Sequence, residues 1–224
     1  MYNIIQQILK VKIAVISIDI ISDTVCPWCF IGKKRLDKAI KKYNNLEFKI
    51  EWHSFQLNPN MSNLGMDRKT YLSKKFGSFK NAENTYFNIK KAGNLAGIDF
   101  NFENISIMPN SFDTHMLVEF SKERNLQNQV VENLFYSFFV EGKNIGNKEI
   151  LTEIAFESGI EDFNYENLID RDDLKESISI TDKQNKEIGV SGVPFFIFNK
   201  KLAVSGAQES EVFEKVFETC KINN

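Results

Sequence analysis

Residues 16–43 read ISIDIISDTVCPWCFIGKKRLDKAIKKY: an apolar run, a Cys-Pro-Trp-Cys tetrapeptide and a helical pattern in succession. Ile16, Ile18, Ile20 and Ile21 alternate with or adjoin short polar residues, which suits a buried strand, and Ser22-Asp23-Thr24 breaks the run. Leu36, Ile40 and Tyr43 then recur at helical spacing. Lys33, Lys34, Lys38, Lys41 and Lys42 fall on the other face and in the last turns, where cations suit the negative helix end. Pro27 fits a first helical turn, where its missing N–H is no loss, so Cys26 lies at the helix N-terminus. Backbone N–H groups and the helix dipole favour an anion there, and the Cys26 thiol is expected to ionise more readily than a free one. Cys29 follows nearly one turn later on the inner side. It is close enough to form a disulfide with Cys26 or to resolve a mixed disulfide.

A CxxC by itself also fits half of a zinc site or a short structural disulfide. Zinc needs two more ligands, and the chain offers only Cys220, His53 and His115, scattered in sequence and without a second CxxC, so no metal is predicted. A disulfide closing so short a loop gains little, and three cysteines are too few for a stapled secreted domain.

The 224 residues, 42% hydrophobic and including 20 phenylalanines, suffice for one large domain, or a domain with an insertion, around a real core. A net charge of -2 with interspersed lysines and acids leaves no basic stripe, so nucleic acid is not an expected partner. The opening MYNIIQQILKVKIAVISI is interrupted by Gln6, Gln7, Lys10 and Lys12, and it runs straight into the CxxC segment without a small-residue cleavage site. Residues 1–12 therefore read as an N-terminal extension. No stretch is apolar and long enough to span a bilayer, no membrane association is expected, and a cytoplasmic location is predicted.

Along the chain, Leu46, Phe48, Ile50 and Trp52 alternate with polar residues as in a strand with one covered face, leaving His53 on the solvated side. From Met66 to about Gly189 helical patterns take over. Asp67 and Asn147 cap two of them, Gly77, Gly97 and Gly159 stop three, and inward stripes include Leu95, Phe112, Met116 and Phe120. A polar amphipathic helix over about 172–188 precedes two short apolar runs, Phe195–Phe198 and Leu202–Ser205, which form a hairpin. In the final helix Cys220 shares a stripe with Phe213 and Phe217 and reads as a core residue. Pro194 sits just ahead of the first hairpin strand. A cis Val193–Pro194 bond there costs little and leaves the Val193 backbone groups free to pair with an extended peptide.

The segments ISDTVCPWCFIGKKRL, EWHSFQLNPN, GMDRKTYLSKKFG, GIDFNFENI, PNSFDTHMLVEF, EGKNIGNKEIL and GVSGVPFFIFNKKLAVSGAQ together resemble the DsbA family of thioredoxin-fold proteins, more narrowly its FrnE-like branch of dithiol-disulfide isomerases. The resemblance implies an α/β thioredoxin-like fold with a large inserted all-helical subdomain: residues 13–62 and 172–222 form the thioredoxin-like domain and 63–171 the insertion. It implies Cys26 as nucleophile, Cys29 as resolving cysteine, Pro27 and Trp28 as the variable dipeptide, and Pro194, with Val193, as the cis-proline wall that binds substrate. Asn110 and His115 match the start of a helix bordering the active-site groove. Trp28 stands where periplasmic relatives carry a histidine, removing a cation that would help the thiolate. Implied partners are disulfide-containing proteins or small molecules, with no tightly bound cofactor and with glutathione or another thiol as reductant. The glutathione transferase kappa and 2-hydroxychromene-2-carboxylate isomerase branch shares the fold, but usually has a serine where Cys26 stands. Asp19 and Asp23 flank the entry to the CxxC, and either can be imagined assisting proton transfer from Cys29.

Overall fold

The computed structural model describes residues 14–222; the extension over residues 1–12, and Ile13, lie outside them. The first apolar run forms β1 (Ala14–Ser22) and leads through a tight turn into α1 (Pro27–Ile40). β2 (Leu46–Ser54) returns parallel to β1 in the register Ile18 to Ile50 and Ile20 to Trp52, so the two apolar faces coincide. The insertion contains α2 (Arg68–Phe76), α3 (Phe79–Leu95), α4 (Phe112–Phe120), α5 (Gln127–Phe139), α6 (Lys148–Glu157) and α7 (Tyr165–Ile169), and then α8 (Asp172–Glu187) leads back to the sheet. β5 (Phe195–Phe198) and β6 (Leu202–Ser205) form the expected hairpin, and α9 (Ser210–Ile222) ends the described chain. β5 runs antiparallel to β1, giving the strand order β2-β1-β5-β6.

α1 and α9 cover one face of the sheet. Ile16, Ile18, Ile20, Phe196, Phe198, Phe213 and Phe217 are all within 1% of full burial there, and Cys220, 2% exposed, is a core residue of the same layer. On the other face Ile21, Phe55 and Val190 make a smaller cluster, and α8 is tied down by Asn185 Nδ2 donating to Ser54 O at 3.2 Å. α5 meets the outer edge of β2 in a specific way. The Gln127 side-chain amide accepts from Trp52 N and donates to Trp52 O, both at 3.1 Å. One side chain thus imitates a neighbouring strand at an edge that would otherwise present bare backbone groups.

Three sequence expectations need correction. The insertion is not all-helical: β3 (Met66–Asp67) and β4 (Ile107–Met108) form a two-residue antiparallel ladder. That ladder is too short to leave a period-two signature. Lys33 is not on a solvated face but 3% exposed, because Asp37 and Glu132 arrive within 2.8 and 2.9 Å of its ammonium. Leu95, assigned to an inward stripe, is 78% exposed, since the last turn of α3 meets the core through Gly93 and Ala92 instead. The caps expected at Asp67 and Asn147 are present, each accepting from backbone N–H groups of the first turn. Among the described residues no helix is long and apolar enough to cross a membrane.

Replacing Gln127 by Ala leaves both Trp52 backbone groups buried without partners, a loss of about 1–3 kcal/mol. Urea unfolding of Gln127→Ala should show a lower midpoint at unchanged slope; an unaltered midpoint refutes the strand-mimic role.

Candidate active site

Cys26 caps α1 with extended backbone angles, φ -99° and ψ 112°, and Pro27 takes the first helical position. Its carbonyl receives the Cys29 N–H at 3.0 Å, while its own N–H donates to Asp23 O at 3.0 Å. No disulfide joins the two cysteines in this structure. Their sulfurs interact directly, and Cys29 is pushed well above the ordinary thiol range, first by burial and then by the hydrogen bond and charge of Cys26. The Ser22 hydroxyl and the Asp23 backbone N–H face the Cys29 sulfur and oppose that shift without cancelling it. Cys29 is 1% exposed and Cys26 5%, whereas Trp28 between them is 38% exposed. The tetrapeptide therefore shows solvent an indole and the edge of one sulfur, with Pro27 and Cys29 turned inward.

The opposite wall comes from the far end of the sequence. The Val193–Pro194 bond is cis, and Cys26 Sγ lies 3.8 Å from Val193 O. Pro194 O accepts from Gly206 N at 2.8 Å, fastening this wall to the β6 end of the hairpin. Gly32 makes the approach feasible: a Cβ built there would stand 3.0 Å from Pro194 Cγ and 3.1 Å from Phe196 Cζ. A methyl group there would require the Pro194 ring and the Phe196 ring to give by a few tenths of an ångström. Arg35, six residues on from Cys29 and buried, donates to Ala207 O and pairs with Glu209 at 2.6 Å.

On the insertion side a cleft of about 650 Å³ is lined by Leu57, Met61, Met66, Tyr71, Lys74 and Lys75. Burial works to lower the Lys75 pKa, but the Tyr71 hydroxyl, Tyr86 and the nearby Cys26 outweigh it and hold the ammonium protonated. Lys75 Nζ donates to Tyr71 Oη at 3.0 Å. Cys26, Pro27, Trp28, Cys29, Val193 and Pro194 thus meet in one place. Asn110 sits one loop away, donating to Met61 O at 2.7 Å and accepting from Phe112 N at 2.8 Å. His115 is 4% exposed and turns toward Asp23 instead of an open groove. His53, read as solvated, is bonded to Asp19 at 2.8 Å.

Sequence reasoning passed over Gly32, Lys75 and Tyr71. An isolated glycine inside a helical pattern was the available signal for the first; nothing local marks the other two. For a metal, among the described residues Asp19, Glu51 and His53 place ligand atoms within 4.8 Å of one another. They already pair among themselves, and Lys122 lies 2.5 Å from Glu51.

The Bacillus subtilis protein YwbO, itself uncharacterized, is 29% identical over 204 residues, covering 89% of this chain and 94% of its own. A probable DsbA oxidoreductase from Streptomyces coelicolor superposes with a TM-score of 0.81 at 24% identity, over 93% of this chain and 91% of that one. The cytosolic disulfide reductase DsbM from Pseudomonas aeruginosa, with GSH, superposes with a TM-score of 0.64 at 16% identity, over 91% of this chain and 98% of its own. Both superpositions show the shared fold. The profile of the DSBA-like thioredoxin domain matches residues 17–218, nearly the whole described chain, and by that match the protein belongs to the DSBA-like thioredoxin domain family.

Proposed function

We propose that this protein is a thiol-disulfide oxidoreductase or isomerase that uses the Cys26–Cys29 dithiol on disulfide-containing proteins or small molecules. The observation that carries the reading is the placement of Cys26 Sγ at a helix start, 3.8 Å from the carbonyl of Val193 and beside a cis-proline. The Cys26 thiolate attacks a substrate disulfide, a mixed disulfide forms and one substrate thiolate leaves. Cys29 then attacks Cys26, releasing the second substrate thiol and closing the intramolecular disulfide. Val193 and Pro194 line the substrate peptide, Pro27 and Trp28 form the opposite lip, and Asn110 shapes the bordering loop through Met61. Glutathione or another thiol returns the pair to the dithiol, and in a reducing cytoplasm that form dominates, favouring reduction or isomerisation over net oxidation. The intact pair of cysteines favours this over glutathione-dependent transfer or isomerisation, which needs no resolving thiol.

Insulin reduction driven by dithiothreitol should be accelerated by the wild-type protein and not by Cys26→Ser; equal rates for the two would end the proposal. Cys29→Ser should instead trap a mixed disulfide visible by mass spectrometry.

Burial holds both Cys29 and Cys220 protonated. Iodoacetamide at about pH 8 should therefore carbamidomethylate Cys26 alone in the native reduced protein; modification of Cys29 or Cys220 at a comparable rate contradicts it. Raised thiol pKa values mean that the folded state binds more protons than the unfolded one once pH exceeds the ordinary thiol value of about 8.5. The reduced protein should then lose stability progressively from there upward, read as a falling denaturation midpoint, and Cys29→Ser should reduce that slope.

A further inference from the structure

Away from the dithiol, a cavity of about 540 Å³ opens between α2, α3 and the turn over Phe102–Asn104. Its floor is apolar: Leu72, Ala82, Phe102 and Ile105 are each 5% exposed or less. Phe87 stands at the rim, 71% exposed. On one wall the Arg68 guanidinium lies 4.8 Å from the centre of the Tyr86 ring and 5.6 Å from that of Phe102. Those rings are themselves fixed, Tyr86 edge-on to Phe102 at 4.7 Å and Phe102 stacked on Phe100 at 4.6 Å. The Arg68 backbone N–H donates to Ser106 O at 2.8 Å, which seats the start of α2 beside the same turn.

The charges around the cavity do not balance once their partners are assigned. Asp67 Oδ1 is occupied in capping α2, accepting from Thr70 N at 2.8 Å and from Thr70 Oγ1 at 2.7 Å. Glu103 pairs with Lys90 at 3.3 Å. Lys69 lies over the Phe79 ring at 5.3 Å. Among the described residues no carboxylate comes within 4 Å of the Lys69 ammonium or the Arg68 guanidinium, while Glu83, exposed at the mouth, is the one lining acid without a cation. Two cations thus face one acid. Burial lowers the Arg68 pKa, and Tyr86 and Glu103 restore only part of what it loses. Contact with ring faces leaves the N–H edges of a guanidinium in need of an acceptor.

We propose that this cavity binds a small carboxylate with an aromatic or alkyl body, its two oxygens forked on Arg68 and its apolar part laid over Leu72, Phe102 and Ile105. The proposal is independent of the dithiol-exchange reading. A guanidinium presents parallel N–H donors that match the two oxygens of a carboxylate, and here it is held in place before the ligand arrives. The volume falls within the range of small-molecule sites, about 300–1,000 Å³, and apolar walls around a few polar groups are the usual make-up of such sites. A neutral apolar molecule would fill the floor but leave the guanidinium donors unpaired. A cation would be repelled by Arg68 and Lys69. Phe87 completes the site, because its exposed ring gains burial only when something occupies the floor beneath it.

The test is a two-dimensional amide NMR titration of the ¹⁵N-labelled full chain with 2-naphthoate and with 2-naphthamide, which has the same shape and no charge. 2-Naphthoate should bind saturably, with shifts concentrated at Arg68–Leu72, Ala82–Phe87 and Phe102–Ser106, and the amide should bind at least about tenfold more weakly. Arg68→Gln should weaken 2-naphthoate by about tenfold or more and leave the amide within about twofold, so that the two probes become alike. Arg68→Lys should recover only part of the loss, since an ammonium lacks the fork. Phe87→Ala should weaken both probes alike, by about threefold. Equal affinity of the wild-type protein for acid and amide overturns the proposal, as does the absence of saturable shifts up to about 5 mM. Shifts centred on Cys26, Trp28 and Pro194 overturn it too, and so does acetate binding as tightly as 2-naphthoate, which would reduce the site to a surface charge. All four of these outcomes are read on the wild-type protein, so the proposal stays open to refutation even if Arg68→Gln does not fold.

Discussion

The ring of Phe30 holds the two parts of this chain together. It stacks on Phe135 at 5.1 Å and 21° and on Phe139 at 6.3 Å and 18°, and meets the edge of Phe100 at 6.1 Å. All four rings are 2% exposed or less. Full burial of one such side chain is worth about 1.5–3 kcal/mol, with a further contribution from ring geometry. Phe30 follows Cys29 directly, so this cluster fixes the helix that carries the dithiol against the inserted helices. On the next turn Lys33 and Lys34 both meet Glu132 of α5. A buried ion pair of this kind gives little net stability when intact, but losing one partner strands a charge, which specifies a single seating of α1 on α5. The position of the sulfurs therefore depends on contacts with the insertion as much as on the sheet.

Much of the architecture is legible in the chain because its signals are local. Alternation fixes β1 and β2, the side-chain oxygens of Asp67 and Asn147 mark helix starts, and Asn199-Lys200 between two apolar runs marks the hairpin. Asn199 and Lys200 indeed adopt φ of 49° and 56°, and Asn199 Oδ1 also accepts from Ser17 N at 3.0 Å, stitching the turn to β1. What escapes is set by partners distant in sequence. Lys33 looks like a surface cation until Glu132 arrives. Met66–Asp67 and Ile107–Met108 become strands only because they find each other. Gln127 looks like a polar helix residue until it meets the edge of β2.

The same division runs through the site. The CPWC segment and Pro194 stand out because the chemistry of their residue types is unusual in any context. Asp19 and Asp23 look alike in sequence, since both flank the same turn. The pleat separates them: Asp19 points to the sheet face that carries His53, whereas Asp23 lies past the last residue of β1 and drops beneath α1. Gly32 and Lys75 are legible only once Pro194 and Cys26 are in place.

Cys26 and Val193 are separated by 167 residues, and Arg35 and the Ala207 carbonyl it binds by 172. A chain made from its N-terminus has its two thiols long before it has the backbone edge opposite them. During synthesis the dithiol helix can form, but the backbone wall that stands 3.8 Å from its first sulfur does not yet exist. The cleft is thereby complete only once the hairpin that follows Val193 and Pro194 has docked on the sheet behind the dithiol helix, so its geometry is a product of tertiary folding and not of the CxxC segment alone.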